Sequence, residues 1–258
     1  MNKIGILYIC TGNYIKFWST FHQSAERYLL NGGAELHYFV FTDQPIDGTS
    51  DPRVHVIHQE ILPWPLTTLY RFKIFQKARR DLQNMDYLYF FNANMLFLEP
   101  VGNEILPNHH HDLVFVQHPL MSRKDVHEFS YERNPESLAH IPQGAGQTYF
   151  MGGLNGGRSK AYLEMIDELE RRIAVDETKN IIAIWHDESH LNRYALEHAD
   201  KIKVLDPSYG YAEGRELPFK KRILIRDKKF HGGDKFLRGL QKPTFWEKAG
   251  SWLRNLCR

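Results

Sequence analysis

The feature that most limits the fold of this chain is its alternation of short, continuously apolar runs with stretches of helical periodicity. Ile4-Gly-Ile-Leu-Tyr-Ile-Cys10 is apolar without alternation, as in a strand buried on both faces. Thr11-Gly12-Asn13-Tyr14 reads as a turn. Phe17, Phe21, Ala25, Tyr28 and Leu29 then recur at helical spacing until Gly32-Gly33 ends the helix. Residues 36–42 predict a second strand, closed by Asp43-Gln44-Pro45; residues 54–57 predict a third and 87–91 a fourth. Residues 66–82 predict one helix, with Leu69, Phe72, Phe75, Ala78 and Leu82 on a single face. Strands alternating with helices imply an α/β fold whose chemistry sits at the carboxyl ends of the strands. No repeat or low-complexity linker interrupts the chain, so residues 1–240 are expected to form one domain.

At 258 residues and 42% hydrophobic, the chain can bury a sizeable core. Its two cysteines, Cys10 and Cys257, lie at opposite ends, so no disulfide is expected and Cys10 reads as a buried strand residue. Met1 runs almost directly into the first strand, which implies a cytoplasmic protein of bacterial type without a signal peptide or membrane anchor. Charge is uneven. Residues 220–258 hold 12 Lys/Arg against 3 Asp/Glu, hence +9, which leaves −7 of the total +2 for the rest. A basic segment on an acidic body suggests an anionic partner such as a diphosphate, a lipid surface or nucleic acid. No nucleic-acid-binding pattern is visible. In 241–258, Phe245, Trp246, Ala249, Trp252, Leu253 and Leu256 form an apolar helical stripe flanked by Lys248, Arg254 and Arg258. That basic amphipathic tail fits peripheral contact with the inner membrane and, equally, packing on the body or a second subunit. Oligomeric state is not encoded legibly.

The densest chemistry lies in Trp185-His-Asp-Glu-Ser-His-Leu-Asn-Arg-Tyr194. Adjacent carboxylates among Trp and Ile are costly to bury without a use. The bland alternative is an exposed helix start capped by Asp187 or Ser189. If the helix runs through, Asp187 and Glu188 point about 100° apart, and His186 and His190 share a face at i and i+4. That pair is reminiscent of the zinc motif His-Glu-x-x-His, but the acid stands one place too late to act as its base.

The ten-residue stretch resembles the catalytic segment of the family 6 glycosyltransferases, which include the histo-blood-group A and B transferases and the α-1,3-galactosyltransferase. Ile4–Tyr14, His37–Pro45 and Phe129–Gly153 resemble three further blocks, so the likeness covers roughly residues 3–235. It implies a GT-A-type, Rossmann-like fold with a mixed, mostly parallel sheet. It also implies a UDP-sugar donor and an oligosaccharide acceptor as partners. The reaction implied is α-1,3 transfer with retained anomeric configuration, with Glu188 as nucleophile or oxocarbenium stabiliser.

On the donor side, the resemblance places Tyr14 on uracil, with Ile9 and Thr11 lining the base pocket. Asp187 and Arg71 hold sugar hydroxyls, and Met151, Gly152 and Gly153 border the sugar. The missing side chain at Gly153 leaves room for an acetamido group, whereas Met151 goes with galactose transfer in the mammalian pair; N-acetylgalactosamine is the expected sugar, galactose the alternative. Acceptor contacts fall to His118, Ser130 and Trp185, with a 2-fucosylated galactose expected.

Where the family carries a manganese-binding Asp-x-Asp, this chain has Asn92-Ala93-Asn94. Hard divalent cations favour charged oxygen ligands, so no metal and no other cofactor is expected, and the two amides are assigned to the donor. Charge on the leaving diphosphate then falls to the basic segment. Lys229 and Lys235 have the family's spacing of six, with Lys228 or Arg226 able to serve instead. The competing reading is a non-catalytic nucleotide-sugar or glycan binder.

Overall fold

The computed structural model describes residues 1–239; the tail read at 241–258 lies outside the described residues. β1 (Asn2–Ile9) leads through a 3-10 turn into α1 (Trp18–Tyr28), followed by β2 (Ala34–Thr42) and β3 (Val54–His58). Three short helices come next: α2 (Leu66–Leu69), α3 (Arg71–Phe75) and α4 (Arg79–Leu82). Then follow β4 (Tyr87–Phe91), β5 (Met95–Phe97), β6 (Leu113–Gln117) and β7 (Phe150–Arg158). The chain continues with α5 (Ser159–Thr178), α6 (Asp187–Glu197), β8 (Ile202–Leu205), β9 (Tyr211–Ala212), β10 (Ile223–Ile225) and α7 (Gly233–Leu237).

The central sheet has the order β3-β2-β1-β4-β7-β6-β8. Pairings from β3 to β4 and between β6 and β8 are parallel, and β7 runs antiparallel to both its neighbours. Two apolar clusters cover its faces. One gathers Tyr8, Trp18, Phe21, Tyr38 and Phe91 around α1; the other gathers Leu7, Phe41, Phe72, Phe75, Phe90 and Ile166 under α3 and α5. Burial on both faces explains why β1 and β4 read as unbroken apolar runs.

The helix expected over 66–82 is broken. Backbone angles leave the helical region at Tyr70 and Ala78, although Leu69, Phe72, Phe75, Ala78 and Leu82 all bury as the periodicity required. The run is rich in aromatic and β-branched residues, weak helix formers, so packing outweighs helix continuity. A second sheet, β5-β10-β9, pairs Ile225 with Met95 and thereby sets Arg226 beside Asn94.

Candidate active site

A cleft of about 260 Å³ opens at the carboxyl ends of β1 and β4, between the β3–α2 loop, β7 and the start of α6. Of the residues singled out above, Ile9, Thr11, Tyr14, Arg71, Asn92, Asn94, Gly152, Gly153, Trp185, Asp187 and Glu188 line it together.

The carboxylates owe their placement to a helix start. α6 begins at Asp187 instead of running through Trp185, and His186 precedes it at φ 54, a strained position for a non-glycine residue. Ser189 Oγ accepts from Trp185 N–H at 3.0 Å. The stretch is therefore a helix start, as the bland alternative held, but neither exposed nor capped by Asp187 or Ser189: His186 is the N-cap without a side-chain bond, and Asp187 is 1% exposed. The same break removes the His186/His190 pairing. His186 faces Trp64, while His190 is buried 3.6 Å from Asp176.

Glu188 is half-buried and doubly anchored. Tyr149 O–H donates to Oε1 at 2.9 Å and Gly152 N–H to Oε2 at 2.7 Å. Burial raises the Glu188 pKa, against those two hydrogen bonds and Arg71. Arg71 Nη1 stands 2.7 Å from Asp187 Oδ2 while donating to the Gly152 carbonyl. Asp187 Oδ2 is thus held by the guanidinium, while Oδ1 has no hydrogen-bond partner among the described residues. Burial pushes the Asp187 carboxyl up to about 7, with Arg71 opposing and Glu188 reinforcing. Asp187 lines the cleft, so its Oδ1 is suited to accept from a ligand hydroxyl.

A stability prediction follows. Folded Asp187 keeps its proton to about 7, whereas its ordinary value is 3.8. Between those values the folded state binds the extra proton, so this group's contribution to stability falls as pH rises. Asp187→Asn cannot titrate. The Tm difference, variant minus parent, is expected to become more positive between pH 4 and pH 8; a constant difference in thermal melts would contradict the raised carboxyl.

Other expected residues sit elsewhere. Met151 is buried in the core and does not line the cleft. A Cβ on Gly153 would stand 2.7 Å from Asn92 Nδ2 and 2.8 Å from Met151 Cε. The room expected beside Gly153 is thus taken by those two side chains. Gly153→Ala is expected to displace the Asn92 amide at a stability cost of about 1–3 kcal/mol; an unchanged Tm in thermal melts would contradict this packing.

His118 and Ser130 do not line the cleft either; both touch Tyr149: His118 meets its ring edge-on at 5.7 Å, and the Ser130 carbonyl is 3.5 Å from its hydroxyl. Burial pushes His118 down to about 4, and its Nδ1 accepts from the Leu120 and Met121 N–H groups.

The basic residues differ most. Lys229 points out, pairing with Asp227 at 2.8 Å, and Lys235 is exposed; neither lines the cleft. Lys228 and Arg238 do. Lys228 Nζ lies 5.6 Å from the Tyr14 ring centroid, and the Arg238 guanidinium sits over Trp64 at 3.8 Å. Asp234 touches both cations, at 3.3 and 3.4 Å. Arg238 was not legible: only its i,i+4 relation to Asp234 hinted at a role. Trp64, 50% exposed in the loop after β3, was missed as well; an aromatic between two prolines at a strand's carboxyl end was the available signal.

A divalent cation fits poorly at 92–94. Asn94 Nδ2 donates to the Arg226 carbonyl at 2.7 Å, and the Asn94 carbonyl accepts from Arg226 N–H at 2.9 Å and Nε at 3.3 Å. The 92–94 corner thus presents two neutral amides and no carboxylate, with the Asn94 carbonyl already taken by the buried Arg226. Among the described residues, no group of three or more His, Cys, Asp or Glu is placed to hold a metal.

The sheet order and the cleft at its carboxyl edge define a GT-A-like α/β fold. The chain belongs to glycosyltransferase family 6, whose model matches residues 2–231. It is 32% identical over 214 residues to histo-blood group ABO system transferase 2 of Rattus norvegicus, a match covering 80% of this chain and 62% of that protein. It is 32% identical over 227 residues to O-antigen biosynthesis glycosyltransferase WbnI of Escherichia coli, covering 87% and 94%. Globoside alpha-1,3-N-acetylgalactosaminyltransferase 1 of Gallus gallus matches at 31% identity, covering 83% and 63%. No described helix is long and apolar enough to cross a membrane.

Proposed function

We propose that this chain is a retaining α-1,3-glycosyltransferase that moves N-acetylgalactosamine from a UDP-linked donor to a 2-fucosylated galactose without a metal ion. The observation that carries it is Glu188, fixed by two donors and lining the cleft, beside a buried Asp187 paired with Arg71. A mere binder has no need of a second buried carboxylate there, because each costs desolvation. The relatives' names support glycosyl transfer, and one of them names α-1,3-N-acetylgalactosaminyl transfer.

In this reading Tyr14 stacks on uracil between Ile9 and Thr11, while Asn92 and Asn94 meet the ribose or sugar. Asp187, oriented by Arg71, accepts from sugar hydroxyls. Glu188 stabilises positive charge at the anomeric carbon as its bond to the diphosphate oxygen breaks. That oxygen leaves with the electron pair, screened by Lys228 and Arg238. The acceptor hydroxyl, on a galactose stacked on Trp185, bonds to the same face, and its proton passes to the departing phosphate. The packing of Met151 and Asn92 against Gly153 favours a second reading in which the sugar is galactose.

Proton NMR of the product tests the reading. A new α-anomeric signal on the acceptor is expected; a β-linked product, or free sugar alone, contradicts it.

A further inference from the structure

Tyr149 stands at the entry to β7, buried and engaged at every part of its side chain. Its hydroxyl donates to Glu188 Oε1 at 2.9 Å and lies 3.5 Å from the Ser130 carbonyl. Its ring stacks on Tyr131 at 5.2 Å and 24°, and meets His118 and Phe129 edge-on. One phenol therefore joins the candidate reacting carboxylate to the segments carrying His118 and Ser130.

A glutamate with a single anchor can swing its carboxylate about that contact. With Gly152 N–H on one oxygen and Tyr149 O–H on the other, the plane is fixed. About four lone-pair sites exist on a carboxylate, so those not taken by the two donors remain for the cleft. We propose that Tyr149 is a positioning residue for Glu188, locking its orientation and tying its place to the 118–131 segment. The proposal rests on Glu188 being the reacting carboxylate.

The other charged groups around Glu188 do not substitute for the phenol. Arg71 from α3 donates to the Gly152 carbonyl and pairs with Asp187 of α6. His186, Lys228 and Arg238 face the same cleft without a hydrogen bond to Glu188 among the described residues. Removing the phenol hydroxyl leaves Glu188 one donor and more of its burial uncompensated, which favours the neutral acid.

Tyr149→Phe in the full-length chain tests this. Turnover is expected to fall roughly 10- to 100-fold, the worth of one hydrogen bond to a charged group, with donor KM within about threefold. The acid limb of the kcat–pH profile should move up by roughly one pH unit. Placing 3-fluorotyrosine at 149, which retains the hydroxyl and strengthens it as a donor, should move that limb down; this readout stands if the phenylalanine variant folds poorly. Unmoved acid limbs in both variants would overturn the proposal. Glu188→Gln is measured alongside: if it retains normal turnover, the reading of Glu188 itself fails, whereas an inactive Glu188→Gln with unmoved Tyr149 profiles removes only Tyr149.

Discussion

Glu188→Gln is expected to lower transfer by roughly 1,000-fold or more while UDP affinity stays within about threefold. The substitution keeps shape and length. One oxygen can still accept from Gly152 N–H at the position now 2.7 Å away, but the amide carries no charge and offers no electron pair to an electron-poor anomeric carbon. Lys228 and Arg238 make no hydrogen bond to Glu188 among the described residues, so the loss is expected to be specific to chemistry. UDP itself, expected against Tyr14, Lys228 and Arg238, should bind as before. Titration calorimetry with UDP and initial rates with the sugar donor separate the two effects. Turnover within about tenfold of the parent would remove Glu188 from the role.

The second large effect is expected from the cations. Lys228→Ala and Arg238→Ala should each reduce kcat/KM roughly 100-fold, the scale of losing one preorganised charge aimed at a developing anion. Both reach the cleft, and Asp234 holds both from the other side. Because they share that partner, the double variant should fall short of the product of the two losses. Lys229→Ala is the informative contrast. Its side chain is 66% exposed and paired with Asp227, so a loss of less than about threefold is expected there. A large loss at Lys229 with none at Lys228 would reverse the assignment. UDP affinity should also weaken with added salt, and less steeply in either cleft variant.

The Lys228/Lys229 distinction illustrates what was legible. Spacing alone selected Lys229 and Lys235, but Lys228–His231 forms a 3-10 turn capped by Asp227, which accepts from Lys229 N–H. Adjacent residues of such a turn diverge, so one lysine enters the cleft and its neighbour meets solvent. No sequence pattern announces that turn. By contrast, β1 and β4 were plain because both their faces are buried.

β7 carries little strand signal of its own. Phe150-Met-Gly-Gly-Leu-Asn-Gly-Gly-Arg158 has low strand propensity, yet its glycines answer to neighbours. A Cβ at Gly156 would come within 2.6 Å of the Leu88 carbonyl, and one at Gly157 within 2.8 Å of Leu113 Cα. Close packing between central strands, invisible in one sequence, wins over propensity. In the site, Asp187 and Glu188 stood out because carboxylates rarely lie among Trp and Ile. Tyr149 did not, since a tyrosine before an apolar strand is ordinary until its hydroxyl partner is known.

The central claim is hexosyl transfer through Glu188 in a cleft whose Asn92-Ala93-Asn94 corner is unsuited to a metal. Its most direct test offers UDP-N-acetylgalactosamine and UDP-galactose separately to a fucosyl-α-1,2-galactose acceptor in excess EDTA, with products read by mass spectrometry. An acceptor carrying one added N-acetylhexosamine is predicted, at a rate that manganese does not raise. Transfer that stops in EDTA and returns with manganese would contradict the metal-free account.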